Sequence, residues 1–215
     1  MRSFSFPDLD GPTLAIYSDY GGNSRESRFK TISLLFIDME RVHSWNVLRE
    51  AVRKKYLPDG RRMEFKGLND GCRRRALPWF LRAADQIPGF CVAIGIDKRI
   101  DGVLITKDMV SELHRRGSLK GTWNFKSLDA MFRVVHFVAM FLAVLSHPGQ
   151  NVYWISDEDE LFASPNKTFD TKRMLETFTS AYIQHPLGEL GLGTTKIDEA
   201  DRFDEDSAAV ADLIA

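Results

Sequence analysis

The sequence predicts an α/β domain, a mixed sheet flanked by helices that opens with an antiparallel hairpin. Three observations lead there. Two β-prone apolar runs, residues 13–19 and 28–38, are separated by a turn, Tyr20–Glu26, that carries glycine and asparagine. Strand-length and helix-period segments then alternate along the rest of the chain. The greasiest segment, Ala130–Leu145, is interrupted by Arg133 and His136. A membrane span needs roughly twenty apolar residues, so this segment reads as a buried core helix.

The elements follow in order. Ser44 is a plausible N-cap for a helix over 45–55, whose Trp45, Leu48 and Val52 recur at helical spacing before Pro58-Asp59-Gly60 stops it. Arg62–Lys66 is a short strand. Asn69 or Asp70 caps a helix running to about Asp85, bent or broken at Pro78. Phe90–Ile96 is a continuous apolar run, the signature of a strand covered on both faces. Residues 100–121 give no clear period. A helix over 127–146, a strand over 151–156, a helix over 171–183, an edge strand over 191–196 and a final helix from Asp206 complete the chain. No repeat, linker or low-complexity tract divides it, so residues 1–215 are taken as a single domain.

The net charge of −1 conceals an uneven distribution. Residues 41–82 hold twelve Lys/Arg against four Asp/Glu, whereas residues 151–215 hold five against fourteen. A basic first half and an acidic last third suit a polyanion together with metal-binding carboxylates; solvated faces of opposite sign give the same counts. Cys72 and Cys91 alone offer no disulfide framework or zinc cluster and fit a reducing, cytoplasmic setting. The opening residues, Met1–Pro7, hold no apolar stretch of signal-peptide length. No membrane association is expected.

Carboxylates at the ends of apolar elements are the strongest chemical signal. Asp19 closes the first strand, Asp157 closes the strand over 151–156, Asp212 lies in the last helix, and Glu64 lies on the short strand with Lys66 two residues on. In a sheet of this type, strand ends and the loops after them gather at one crevice. Four such acids meeting there would hold two hard cations, Mg²⁺ or Mn²⁺, which can activate water and stabilise the leaving oxygen of a phosphodiester. Each acid alone is weak evidence, because thirty of 215 positions are acidic; their order along the chain carries the signal.

The stretches Ser18-Asp19-Tyr20-Gly21-Gly22, Glu64-Phe65-Lys66-Gly67, Ile155-Ser156-Asp157-Glu158 and Ala211-Asp212-Leu213 resemble motifs of the prokaryotic RNase H-like family catalogued as domain of unknown function 3800. Members open with a strand ending Asp-Glu-Ser-Gly, carry Glu-x-Lys in the first half and a later strand ending in Asp, and close with a helix around Ala-Asp-Leu. The resemblance spans nearly the whole chain. It implies an RNase H-like fold and a metal-dependent phosphodiesterase site with Asp19, Glu64, Asp157 and Asp212 as catalytic residues and metal ligands. Tyr20 departs from the family, which has Glu there.

Arg73, Arg74 and Arg75, with Lys66 near the scissile group, are candidate phosphate contacts, as are Arg53-Lys54-Lys55 and Arg61-Arg62. Trp79, Trp123 and Trp154 are read as core residues rather than base-stacking surfaces. His136 reads as a satisfied core residue. No arrangement suggests nucleophilic catalysis by Ser or Cys. Two functions compete: a nuclease-like phosphodiesterase acting on nucleic acid, and an inactive RNase H-like subunit binding nucleic acid or a protein partner in a larger assembly such as a phage-defence or mobile-element system. Tyr20 favours the second and the four acids favour the first.

Overall fold

The computed structural model describes residues 5–22, 24, 26–100, 102, 104–156, 161–197 and 201–215. Among these residues five strands form one sheet: β1 (Thr13–Gly21), β2 (Phe29–Asp38), β3 (Gly89–Asp97), β4 (Asn151–Ser156) and β5 (Leu190–Thr194), in the order β3-β2-β1-β4-β5. The opening hairpin pairs β1 with β2 antiparallel, and β2 with β3 likewise; β4 lies parallel to β1 and β5 parallel to β4. This is the mixed sheet flanked by helices, opening with an antiparallel hairpin, that the sequence predicts.

The period of two along β1 splits the core into two layers. Leu14 and Ile16 join one hydrophobic cluster; Ala15 and Tyr17 join the other. On the first face lie α4 (Phe125–Leu145) and α5 (Pro165–Tyr182), with the short α3 (Lys107–Arg115) beside α4. On the second lie α1 (His43–Tyr56), α2 (Gly71–Ala84) and α6 (Phe203–Asp212). The helix ends carry the chemistry their backbones need. Asp70 accepts from the N–H groups of Cys72 and Arg73, Asn124 and Ser127 form a reciprocal capping box, and Ser164 precedes Pro165 at the first turn of α5. By length and apolarity α4 would be able to cross a membrane, but eleven of its residues are buried against the sheet and α5. It is the core helix that the sequence predicts.

On the second face α6 is held by charge. Asp206 and Arg49 are both fully buried, 3.2 Å apart, and Arg53 meets the same carboxylate through Nε at 2.5 Å and Nη2 at 2.7 Å. Burial pushes the Asp206 carboxyl up, and the two guanidinium groups pull against that shift. Tyr17 Oη donates to Asp204 Oδ1 at 2.6 Å, tying the start of α6 to β1 as well.

Several expectations need correction. Residues 62–66 form no strand; they are loop and turn, with Gly67 N donating to the Glu64 carbonyl, and among the described residues no strand beside them offers a ladder. β3 is an edge strand and is covered on one side for much of its length. Phe90, Val92, Ile94 and Ile96 pack toward α4, but Ala93 and Gly95 are exposed because α1 and α2 cover β1 and β2 instead. The α2 helix continues through Pro78, which only removes one helical donor. α5 starts six residues earlier than its apolar period suggests, at its Ser-Pro cap. Trp123 and Trp154 are core residues as expected, but Trp79 is 48% exposed. His136 is half-buried, with Nδ1 2.9 Å from Tyr182 Oη.

Candidate functional site

In this strand order the chain leaves β1 toward β2 on one side and returns at β4 on the other. The carboxyl ends of β1 and β4 therefore flank the point where the order reverses, which is where open α/β sheets form binding crevices. Asp19 stands at this end of β1, paired across the hairpin with Ser33. It lines a cleft of about 490 Å³ between the ends of β1–β3 and the first turns of α4.

The cleft is rich in charge. Lys30, Lys98, Lys126 and Arg133 line it together with Asp19, Asp97 and Asp129. Asp97 is tied up: hydrogen bonds from Arg99, and one from Arg28 at 3.1 Å, hold its carboxyl well below the usual range. Asp129 Oδ2 accepts from Arg133 Nε at 2.8 Å, while its Oδ1 is buried with no hydrogen-bond partner among the described residues. Lys30 and Lys126 have no acidic partner among the described residues. An anion entering here would therefore meet two uncommitted ammonium groups. Tyr20 also lines the cleft, packs into the α4-side core and meets Ser18 Oγ at 3.0 Å.

Asp212 and Glu64 approach from the α6 side. Asp212, at the last turn of α6, accepts from Phe65 N at 2.6 Å, so the final helix clasps the loop that carries Glu64. Glu64 Oε1 is 3.0 Å from Arg73 Nη2, and Arg73 Nε donates to the Arg62 carbonyl at 2.7 Å. Beyond Asp212 the chain ends against β1: a Cβ on Gly21 would lie 3.3 Å from the Ala215 carbonyl and 2.3 Å from Thr31 Oγ1. Glycine at 21 permits this close approach. Asp212 lies three residues before this contact, and Glu64 adjoins the Phe65 that Asp212 holds; neither Asp212 nor Glu64 lines the cleft that Asp19 lines. Asp157 falls outside the described residues. Among the described residues no group of three or more His, Cys, Asp or Glu stands together as a metal site.

The candidate phosphate contacts divide. Lys66, Arg74 and Arg75 are exposed, and none has an acidic partner among the described residues. Arg73 is committed to Glu64 and the Arg62 carbonyl. Arg53 holds Asp206, and Arg61 pairs with Asp59 and Asp70. Sequence reasoning missed Lys30, Lys126 and Asp129. Asp129 and Arg133, four residues apart within an apolar helix, were the legible signal; nothing marked Lys30.

No protein-family model matches the chain, and no curated protein matches it. Among solved structures it is similar to the ribonuclease H2 from Pyrococcus horikoshii OT3, at 14% identity over 93% of this chain and 69% of that one, with a TM-score of 0.42. A likeness at that level says nothing about activity. The mixed sheet that opens with an antiparallel hairpin is seen in the strand order and pairing themselves.

Proposed function

We propose that the chain is a metal-dependent phosphodiesterase acting on nucleic acid, with Asp19, Asp157 and Asp212 as the carboxylates of its site and Glu64 beside them. The observation that carries this reading is the position of Asp19. It stands near the end of the central strand, in a cleft with uncommitted Lys30 and Lys126; the seating of Ala215 against Gly21, three residues after Asp212, supports including Asp212.

The proposed donor set is all carboxylate oxygen, which suits a hard divalent cation, although Asp19, Glu64 and Asp212 do not stand together as a group of three acids among the described residues. Asp19 and Asp212 are the described residues that would hold Mg²⁺ or Mn²⁺. Glu64 fits less well, because Arg73 already neutralises it. When bound, the ion supplies charge for the phosphodiester oxygens and lowers the pKa of a water. The protein's own share is to draw the backbone in with Lys30 and Lys126 and to hold its phosphate against the end of β1. Lys66, Arg74 and Arg75 extend the cationic surface along the α6 side.

A second reading, binding of nucleic acid or a protein partner without hydrolysis, is favoured by the Glu64–Arg73 ion pair and by Tyr20 at the position where the resembled family has Glu. A nuclease assay in Mg²⁺ and Mn²⁺, on wild type and Asp19→Ala, separates the two. Hydrolysis lost by at least a hundredfold in the variant supports the first reading. Oligonucleotide binding with no hydrolysis by either protein supports the second. Mn²⁺ should raise the melting temperature of wild type and leave Asp19→Ala unmoved.

A further inference from the structure

We propose that the α1–α2 hairpin carries a site for unpaired bases of single-stranded nucleic acid, built on Trp79 and Tyr56. The proposal rests on the nucleic-acid reading above and names where that polymer docks outside the cleft. Trp79 is 48% exposed, whereas Trp45, Trp123 and Trp154 are at most 3% exposed. Its ring stacks on Tyr56, with centroids 6.2 Å apart and planes 11° from parallel. Lys55 Nζ lies 5.0 Å from the Tyr56 centroid and 5.8 Å from that of Trp79, so the aromatic pair already holds a cation.

Beside the pair runs a shallow groove of about 400 Å³, whose apolar lining includes Leu48 and Ala51 and whose cations are Lys55 and Arg82. No acid lines it. Lys54, Lys55 and Arg82 have no acidic partner among the described residues. An open aromatic face beside uncommitted cations is what a single strand needs: bases stack and phosphates are neutralised, with little regard to sequence. A duplex, whose bases are already stacked, cannot use the ring. The position agrees. Tyr56 ends α1 and leads into the loop of Glu64 and Lys66, while Arg74 and Arg75 open α2. A strand leaving the end of β1 meets cations along that path before it reaches Trp79.

The test uses the full chain with EDTA, so that no turnover occurs, and a short fluorescein-labelled oligothymidylate or oligouridylate. Anisotropy gives affinity, and tryptophan emission reports Trp79, the one exposed indole. Binding should quench that emission. Trp79→Ala should weaken binding about tenfold, equivalent to about 1.4 kcal/mol and to roughly one stacked base. Trp79→Phe should restore most of it, and Lys55→Gln with Arg82→Gln should flatten the salt dependence. Unchanged affinity in Trp79→Ala, or equal affinity for a duplex, overturns the proposal. No oligonucleotide binding, with Asp19-dependent hydrolysis of a small phosphodiester intact, overturns the groove and leaves the proposed activity standing. Loss of both overturns both.

Discussion

The two faces of the sheet are held in different ways. The α4 face is a large apolar layer, in which Leu128, Met131, Val134, Val135, Val138, Leu142 and Leu145 meet Leu14, Ile16, Leu34 and Phe36. The opposite face includes α6, a helix of ten residues whose buried positions are small: Ser207, Ala208, Ala209 and Ala211, with Val210 the largest. Such a helix buries little apolar area, and its seat depends on the Arg49–Asp206–Arg53 ion triad and the Tyr17–Asp204 bond. The difference teaches where the candidate site is vulnerable. Asp19 stands on a strand fixed by both layers, whereas Asp212 is placed by a helix that charge positions.

Breaking the charge network should have the largest effect. Asp206→Leu removes the buried carboxylate that both guanidinium groups share, leaving Arg49 with Asp201 at 3.2 Å and Arg53 with Glu205 at 4.0 Å, and should cost about 3 kcal/mol in urea unfolding. Replacing the whole triad, Arg49→Met with Arg53→Met and Asp206→Leu, should recover most of that loss. If the triple variant is no more stable than Asp206→Leu, α6 is held by packing and the contrast between the faces fails.

On the apolar face, Leu142→Ala should cost about 2–5 kcal/mol through lost contacts and a cavity. It should leave Mn²⁺ binding unchanged wherever the chain remains folded, as measured by the Mn²⁺-dependent shift in melting temperature.

The smallest effect belongs to the surface of the α1–α2 loop. Hydrogen bonding from Arg61 lowers the Asp59 carboxyl from 3.8 to about 2. Because the folded value lies below the unfolded one, this pair contributes above about pH 4 and its contribution is lost as pH falls through about 2. The pair is exposed, so Asp59→Asn should move the melting temperature at pH 7 by less than about a degree. An NMR titration of the Asp59 side chain checks the direction; a midpoint at or above 3.8 would show the pair to be absent.

Much of the fold was legible because periodicity is local. The hairpin, the apolar α4 and the strand over 151–156 all announce themselves within their own residues. Where reading failed, the deciding information was distant. Phe90–Ile96 looks covered on both faces, yet which faces of a strand are covered depends on where remote helices pack, and α1 and α2 cover β1 and β2 rather than β3. Residues 62–66 alternate like a strand but have no partner to pair with, and Asp212 clasps them instead. Half-burial of Arg73 against Glu64 could not be seen either, since nine residues separate them and no helical spacing links them.

By itself the sequence determined the class of the molecule: which segments are strands or helices, that α4 belongs in the core, and which acids end apolar elements. Tertiary structure alone decided which charges are spent and which are free. Arginines 49, 53, 61 and 73 belong to one basic stretch in the sequence, but folding commits each to a carboxylate; Lys30, Lys126 and the exposed Trp79 are left available. The physical reason is that periodicity sets which face a side chain takes, whereas an ion pair needs two groups within about 4 Å, and that distance is fixed only when remote elements pack.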